Sequence, residues 1–367
     1  MSFSDLRILL VGPLPPPAGG MANQTRQLAE LLRGEGARVE VVRVNTPYRP
    51  AWAARLKGVR ALFRLLPYLT QLWRGAGRAD LVHVMANSGW SWHLFAAPAV
   101  WIAALRGVPV VVNYRGGEAG AFLARAAGVV RFTMRRAAVL ALPSGFLQDV
   151  FGRHGMAGRI VPNIVDLERF RPADPPRQTG AAPHLLVARN LEAIYGNDVA
   201  LRAFALLARH YPQASLTLAG AGPERDALAA MACELGVADR VRFPGRLDRD
   251  EMAALYRDAD LMLNASRVDN MPNAILEALA SGVPVVTSDA GGISCMVRDR
   301  HTARLVPVDD AVAMAAAARA LLDDPALRAA QVLAGLAGVQ RYRWTSVRAE
   351  LRAAYDRALQ AEGVQQT

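Results

Sequence analysis

Short apolar runs alternate with helix-like stretches along most of the chain, and this alternation restricts the fold more than any other feature. The predicted strands of the first half are Arg7–Val11, Val39–Val44, Leu81–Met85, Val110–Asn113 and Val139–Leu142. Those of the second half are Leu185–Ala188, Ser215–Ala219, Val241–Phe243, Leu261–Asn264 and Val285–Thr287. Continuous apolar strands separated by helices are typical of parallel sheets covered on both faces. The chain is therefore predicted to be an α/β protein.

The alternation is interrupted once, at residues 171–183, which read RPADPPRQTGAAP. Such a stretch is typical of a linker, and 367 residues are long for a single hydrophobic core. We predict two doubly wound, Rossmann-like domains that face each other across a cleft. The first comprises residues 1–172 and is completed by a C-terminal helix at 345–367, and the second comprises residues 173–344. Ligand-binding loops are expected at the carboxyl ends of the strands.

The composition restricts the partners of this chain. A formal net charge of +11 indicates an anionic partner, which can be nucleic acid, an acidic membrane surface or a phosphorylated ligand. The sequence has no zinc-ligand spacing and no recognised RNA-binding motif, so nucleic acid is not expected. Cys233 and Cys295 lie far apart, which argues against a disulfide framework and fits a reducing cytoplasm. The longest apolar stretch, at 90–105, is too short to span a membrane.

Glycine-rich loops follow two of the predicted strands. Gly19 and Gly20 stand between the first strand and a helix expected near Met21, where backbone amides can meet an anion. An ordinary strand-to-helix loop is the alternative, and the loop matches neither a Walker motif nor GxGxxG. In AGAGPER, at 219–225, Arg225 occupies the third-glycine position of a dinucleotide fingerprint. We therefore expect a tight turn there and not a Rossmann dehydrogenase.

Two acids and an arginine are the polar candidates of the second half. Asp269 and Glu277 lie eight positions apart in DNMPNAILEALASGVPVVTSDAGG, one in a loop and one in the short helix that follows. Glu277 can accept hydrogen bonds from a ribose diol, and Asp269 can hold a second polyhydroxyl unit. The alternative is that both acids balance local arginines. Arg189, at a strand end, can bind a diphosphate with its guanidinium, or it can pair at the surface with Glu192.

Seven stretches of the sequence carry a resemblance to a known family. They are PPPAGGM, PSGFLQDVFGRHG, VPNIVDLERFRP, AGAGPE, VRFPGRL, YRDADLMLNAS and DNMPNAILEALASGVPVVTSDAGG. Over nearly its full length the chain resembles the family 4 retaining glycosyltransferases of GT-B fold. The last stretch is the most specific, since it resembles the family's acid-x7-acid motif with its trailing glycine pair.

The resemblance implies a UDP- or GDP-linked sugar donor that is bound mostly by the second domain. Glu277 would hold the ribose, Asp269 the transferred sugar and Arg189 the diphosphate. The expected catalytic residues are Asp269, Arg189 and Arg115. The expected substrate-binding residues are Gly19, Gly20, Gly245, Arg246, Asn270, Met271, Pro272, Asn273 and Glu277.

The sequence departs from the family pattern at four positions. Asp269 stands where glutamate is usual, so its side chain is shorter by one methylene. Tyr195 precedes Gly196 where the family commonly has a phosphate-binding lysine. Arg115 falls about where a histidine often faces the sugar, and Cys295 replaces a glutamate often found after the glycine pair.

The resemblance also implies the reaction. Retaining transfer of a hexosyl unit to a glycan or lipid-linked acceptor, in cell-envelope or exopolysaccharide synthesis, is expected to proceed by same-face attack without a glycosidase-type carboxylate pair. Neither a cofactor nor a metal site is expected. The acid pairs Asp248/Asp250 and Asp258/Asp260 are interpreted as a helix cap and a helix-to-strand corner. A GT-B nucleotide-sugar epimerase and a non-catalytic membrane-surface scaffold are the alternatives.

Residues 52–66 form a basic amphipathic pattern, WAARLKGVRALFRLL. At helical spacing one face carries Trp52, Leu56, Val59, Phe63 and Leu66, and another carries Lys57, Arg60 and Arg64. Such a helix can lie on an anionic membrane, which predicts a cytoplasmic protein held peripherally on the inner face. A core-facing helix with a solvated back is the alternative, and Pro67 is expected to end or kink the helix.

Overall fold

Two α/β units, each built on its own parallel sheet, make up the chain. The computed structural model describes residues 3–16, 19–47, 60–175 and 180–363. The first unit comprises Met1–Asn163 and Val347–Thr367, and the second comprises Ile164–Ser346. The predicted divisions lie at 172 and 344. The first observed division comes earlier in the chain because Val165 and Phe170 are buried in the hydrophobic core of the second unit.

The first unit is built on a six-stranded parallel sheet with the order β2-β1-β3-β4-β5-β6. Its strands are β1 Arg7–Gly12, β2 Arg38–Arg43, β3 Leu81–Ala86, β4 Val110–Tyr114, β5 Val139–Leu142 and β6 Arg159–Ile160. Its helices are α1 Gly20–Gly34, α2 Arg60–Ala76, α3 Ala97–Leu105, α4 Ala119–Met134 and α5 Gly145–Gly152. The C-terminal helix α12, Trp344–Gly363, returns to this unit from Val347 onward.

The second unit has a parallel sheet of the same size, with the order β12-β11-β10-β7-β8-β9. Its strands are β7 His184–Ala188, β8 Ser215–Ala219, β9 Val241–Gly245, β10 Leu261–Asn264, β11 Val285–Ser288 and β12 Arg304–Val306. Its helices are α6 Asn197–Leu207, α7 Arg225–Glu234, α8 Arg249–Asp258, α9 Asn273–Ala280, α10 Ala311–Asp323 and α11 Pro325–Val339. The prediction of two doubly wound parallel sheets is confirmed.

Strand order fixes which helices share a face of the first sheet. The steps from β2 to β3, from β3 to β4 and from β4 to β5 all advance in one direction across the sheet. Because crossovers between parallel strands are right-handed, α2, α3 and α4 lie side by side on one face and α1 lies on the other. The observed contacts of α3 with both α2 and α4 agree with this arrangement.

The amphipathic segment at 52–66 is described only from Arg60 onward, and the side chain of Arg60 lies outside the described part. Helix α2 continues through Pro67, so of the two predicted effects of this proline, the end of the helix does not occur. Tyr68 and Leu72 on α2 are buried in the core of the unit. Among the described residues, no helix is both long and apolar enough to cross a membrane.

Candidate functional site

The candidate site of the second unit lies where the strand order reverses. Chain order runs outward from β7 through β8 and β9, then returns to β10 on the other side of β7. The carboxyl ends of β7 and β10 are therefore neighbours at a topological switch point, which is where doubly wound sheets bind ligands. Arg189 directly follows β7, and the loop that carries Asp269 follows β10.

Arg189 and Asp269 form an ion pair at this position, with side chains only 12% and 13% exposed. The guanidinium of Arg189 also lies over the ring of Tyr195, 4.0 Å from its centroid. Its Nε is buried and has no hydrogen-bond partner among the described residues. The predicted alternative of a surface pair with Glu192 is wrong, because the side chain of Arg189 is mostly buried and pairs with Asp269.

Backbone hydrogen bonds fix the loop that presents Asp269. Its carboxylate accepts a bond of 2.8 Å from the backbone N–H of Asn270, and its carbonyl accepts one of 2.9 Å from Gly292. The hydroxyl of Ser288 donates to the carbonyl of Ser266 at 2.5 Å. The glycine pair that trails the motif thus helps to position the first acid of that motif.

Two glycines allow the loops around Arg189 to approach each other closely. Gly196 has a φ of +58°, and a side chain on it would place its Cβ 2.1 Å from the carbonyl oxygen of Ala265. A Cβ on Gly220 would lie 2.0 Å from the carbonyl oxygen of Arg189. Both positions therefore require glycine. At Gly220 the AGAGPER turn packs directly against the backbone of Arg189.

Glu277 lies on α9, half-buried beside the hydroxyl of Tyr256. The single proton of that hydroxyl is shared between two acceptors, the carboxylate of Glu277 at 3.2 Å and the carbonyl of Ala274 at 3.1 Å. Burial raises the pKa of Glu277 to about 7, although Arg249, Tyr256 and Arg189 act in the opposite direction. A carboxyl group with this pKa changes its ionisation state near neutral pH, so a ligand that donates hydrogen bonds to it can shift that state.

The other predicted contacts of the second unit occupy the same loop or a more distant strand. Asn270, Met271 and Pro272 are buried, and Asn273 is the first residue of α9. Gly245, with a φ of +80°, is the last residue of β9, and the exposed Arg246 follows it. Strand β9 is separated from β7 by β8.

In the first unit, Gly19 is the N-cap of α1 and Gly20 is its first residue. The helix has no acid in its first turn and no side-chain cap at Gly19. A Cβ on Gly19 would meet nothing within 4 Å among the described atoms. Backbone N–H groups at this helix start can therefore interact with an anion.

Arg115 follows β4 and lies at one end of a buried polar chain that the sequence did not predict. Its Nε donates to the Oδ1 of Asn113 at 3.0 Å, and the amide of Asn113 donates to the Nε2 of His83 at 3.1 Å. The Nδ1 of His83 lies 2.8 Å from the hydroxyl of Tyr355 on α12. Burial, with the charge of Arg115, lowers the pKa of His83 to about 3, and burial lowers the pKa of Arg115 to about 10.

The acid pairs form structural contacts. Asp248 caps α8 in a capping box with Glu251, as predicted. Asp260 accepts a bond of 2.7 Å from the backbone N–H of His184. Within the ranges that the structure describes, no group of three or more His, Cys, Asp or Glu side chains is arranged to hold a metal ion.

Sequence models of two glycosyltransferase domains match this chain. The description "Glycosyltransferase Family 4" applies to residues 18–169, and "Glycosyl transferases group 1" applies to residues 182–324. Glycogen synthase of Mycobacterium tuberculosis is 33% identical over 261 residues, which cover 68% of this chain and 61% of that enzyme. Phosphatidyl-myo-inositol mannosyltransferase of Mycolicibacterium smegmatis is 28% identical over 365 residues, covering 92% of this chain and 90% of that enzyme.

Two solved structures share the fold. Sucrose-phosphate synthase from Thermosynechococcus elongatus has a TM-score of 0.75 at 20% identity, covering 97% of this chain and 100% of that one. Anabaena HepE in complex with UDP and glucose has a TM-score of 0.74 at 18% identity, covering 96% and 99%. The two parallel six-stranded sheets therefore have the GT-B architecture. Together with the two domain matches, they identify the chain as a member of glycosyltransferase family 4.

Proposed function

We propose that this chain is a retaining glycosyltransferase that moves a hexosyl unit from a UDP- or GDP-linked donor to a glycan or lipid-linked acceptor. The observation that carries the proposal is Arg189 at the switch point, where it pairs with Asp269 and has a buried Nε that makes no hydrogen bond to any described residue. A cation held in this way offers N–H groups to a diphosphate. Anabaena HepE, which has a similar fold, has been solved in complex with UDP and glucose and in complex with UDP-glucose.

In this proposal the donor exchanges one partner of Arg189 for another. The guanidinium would turn its bonding from Asp269 to the diphosphate, and the released carboxylate would accept hydrogen bonds from the transferred sugar. Glu277 would accept bonds from the ribose hydroxyls, which favours its ionised form. The loop amides of Asn270 to Asn273 would complete the sugar contacts, and Gly245 and Arg246 would lie beside the base.

The proposed reaction needs no covalent enzyme intermediate. The bond between the anomeric carbon and the diphosphate oxygen breaks, and its electron pair stays on the phosphate. The acceptor oxygen forms its bond to the same face of the sugar, and its proton passes to the departing phosphate. Arg189 and the start of α1 at Gly19 and Gly20 would stabilise the negative charge on the phosphate. Arg115 would be directed at the sugar, and neither metal nor cofactor would be needed.

The names of the relatives suggest the acceptor class. They include a glycogen synthase, a phosphatidyl-myo-inositol mannosyltransferase and a D-inositol 3-phosphate glycosyltransferase of Streptomyces coelicolor. A glycan or lipid-linked acceptor in cell-envelope or exopolysaccharide synthesis, used at the inner face of the membrane, fits the first two. We therefore place the enzyme in the cytoplasm or peripherally on that membrane.

Donor turnover with and without an acceptor tests the proposal. A thermal-shift screen of UDP- and GDP-linked sugars first identifies the donor, because a ligand that binds only the folded state raises the melting temperature. Arg189→Gln should abolish the shift, whereas Arg242→Gln, an exposed arginine of the same unit, should keep it. Release of nucleoside diphosphate that requires an acceptor supports a transferase. Donor conversion without an acceptor would instead indicate an epimerase, and no turnover would favour a scaffold.

A further inference from the structure

We propose that the outer face of α2, α3 and α4 is a docking surface for an anionic membrane. These helices lie side by side on one face of the first sheet. Residues 60–76, 97–106 and 119–136 contain three, one and four arginines and no aspartate or glutamate. These three segments therefore carry charge of a single sign.

Large apolar side chains are exposed on the same three helices. Leu66 is 62% exposed, Leu105 is 72% exposed and Phe132 is 52% exposed. Trp73 and Val129 are exposed as well. Five large apolar side chains exposed on three adjacent helices distinguish this face from a surface that carries only single exposed apolar groups.

Arginines order the aromatic part of this surface. The guanidinium of Arg106 lies 4.9 Å from the ring centroid of Trp73, which joins the ends of α3 and α2. The guanidinium of Arg136 lies 3.6 Å from Trp101 and 4.8 Å from Phe132, which joins α4 to α3. Six of the seven arginines whose side chains are described are exposed, and none of those six forms an ion pair with another described residue. The surface is thus formed before any partner arrives.

The chemistry of this surface favours a lipid bilayer over other anionic partners. Exposed Leu66, Leu105 and Val129 gain free energy by entering an acyl layer, and phosphates of a nucleic acid offer them nothing equivalent. Tryptophan and arginine suit the boundary between headgroups and acyl chains, where an apolar body and a polar tip are both satisfied. A second copy of this face would be repelled by its own like charges.

This surface differs from the predicted 52–66 helix, most of which lies outside the described residues. Trp73, Leu105 and Phe132 lie near the carboxyl ends of their helices, which correspond to the amino edge of the parallel sheet. Gly20 and Arg115 lie at the opposite edge, so docking through this face leaves that edge accessible. The inference does not require catalysis, because membrane binding is measured without donor or acceptor.

Co-sedimentation of the full chain with vesicles tests the inference. The vesicles contain phosphatidylglycerol and phosphatidylcholine in equal parts, with pure phosphatidylcholine for comparison, at low and high salt. The charge-reversed variant Arg74→Glu/Arg131→Glu/Arg135→Glu should bind anionic vesicles at least roughly tenfold more weakly, because each nearby cation contributes to attraction. Leu66→Ser/Leu105→Ser should weaken binding several-fold at the same net charge.

The matched control is Arg209→Glu/Arg242→Glu/Arg298→Glu, which changes the net charge equally at exposed positions of the second unit. It should keep nearly wild-type binding, and a triple lysine variant at 74, 131 and 135 should do so too. Melting curves establish that each variant is folded. The inference would be overturned by equal losses of vesicle binding in both charge-reversed variants or by no wild-type binding at low salt. Tighter binding of the wild-type protein to an RNA oligonucleotide than to the vesicles would also overturn it.

Discussion

Arg189 contacts Tyr195 through the face of its ring, at 4.0 Å from guanidinium to centroid, while its terminal nitrogen pairs with Asp269. Tyr195 thus brings no charge to a position where the family resemblance implies a lysine. Its ring instead stacks on the guanidinium of Arg189 and holds that side chain in place. In the second unit, Arg189 is therefore the side chain that we expect to carry most of the phosphate contact.

The stacking of Tyr195 on Arg189 is expected to support turnover. Tyr195→Leu should lower kcat/KM about fivefold, because a partly buried cation–π contact contributes about 1 kcal/mol. Tyr195→Phe keeps the ring and should retain nearly full activity. Steady-state kinetics with the donor from the thermal-shift screen measure both variants, and equal losses in the two would point to the hydroxyl instead of the ring.

Variants of the ion pair between Arg189 and Asp269 are expected to affect stability and activity differently. Arg189→Gln should lower the free energy of unfolding by about 3 kcal/mol, because it leaves a buried carboxylate unpaired. The double variant Arg189→Gln/Asp269→Asn should regain most of that stability and remain inactive. Urea unfolding and donor turnover are the two measurements, and an active double variant would exclude both residues from catalysis.

Glu277 makes stability depend on pH. Its folded-state pKa of about 7 lies above the ordinary value of 4.5, so the folded state binds more protons between these values. The free energy of unfolding should therefore fall as pH rises from about 4.5 to about 7, by up to about 3 kcal/mol. Glu277→Gln, which resembles the neutral form, should lack this part of the decrease. Urea titrations of both proteins at pH values on either side of that window measure the difference.

Glu277 is also expected to hold the ribose of the donor. Glu277→Ala should reduce transition-state stabilisation by about 2 kcal/mol, as the loss of charged hydrogen bonds does, and should stay folded. A nucleotide whose ribose lacks the 2′-hydroxyl should show a smaller loss, because it has already lost one of the two bonds. Unchanged kcat/KM in the folded variant would rule out this role.

Activity is expected to survive excess EDTA, since Arg189 and the start of α1 at Gly19 are proposed to stabilise the phosphate. Donor turnover measured before and after chelation, and again after addition of magnesium or manganese, checks this. Loss on chelation with recovery on metal addition would contradict the metal-independent proposal.

The sequence predicted the ten strands with continuous apolar runs and missed β6 and β12. Those two strands have two and three residues, Arg159–Ile160 and Arg304–Val306, and each lies at the outer edge of its sheet. A strand of two or three residues is too short to show an apolar run or an alternation, whereas the longer edge strands β2 and β9 were predicted.

The candidate site was predicted residue by residue, but its pairings were not. Arg189 and Asp269 are 80 positions apart, and they meet only because β10 returns to the side of β7 away from β8. Tyr256 lies 21 positions before Glu277, on another helix, and no local spacing joins them. Strand order and helix packing, which depend on the whole chain, determine both contacts.

Buried hydrogen bonds connect Arg115 through Asn113 and His83 to Tyr355. Helix α12 therefore helps to hold Arg115 in place in the first unit. The Asn113 amide donates to the Nε2 of His83, so the proton of this uncharged ring lies on Nδ1 and is directed at Tyr355. A truncation that removes Tyr355 would take away the acceptor of that N–H and weaken the support of Arg115. A fusion to another protein should therefore be joined beyond the end of α12, where it leaves the hydrogen bond between His83 and Tyr355 intact.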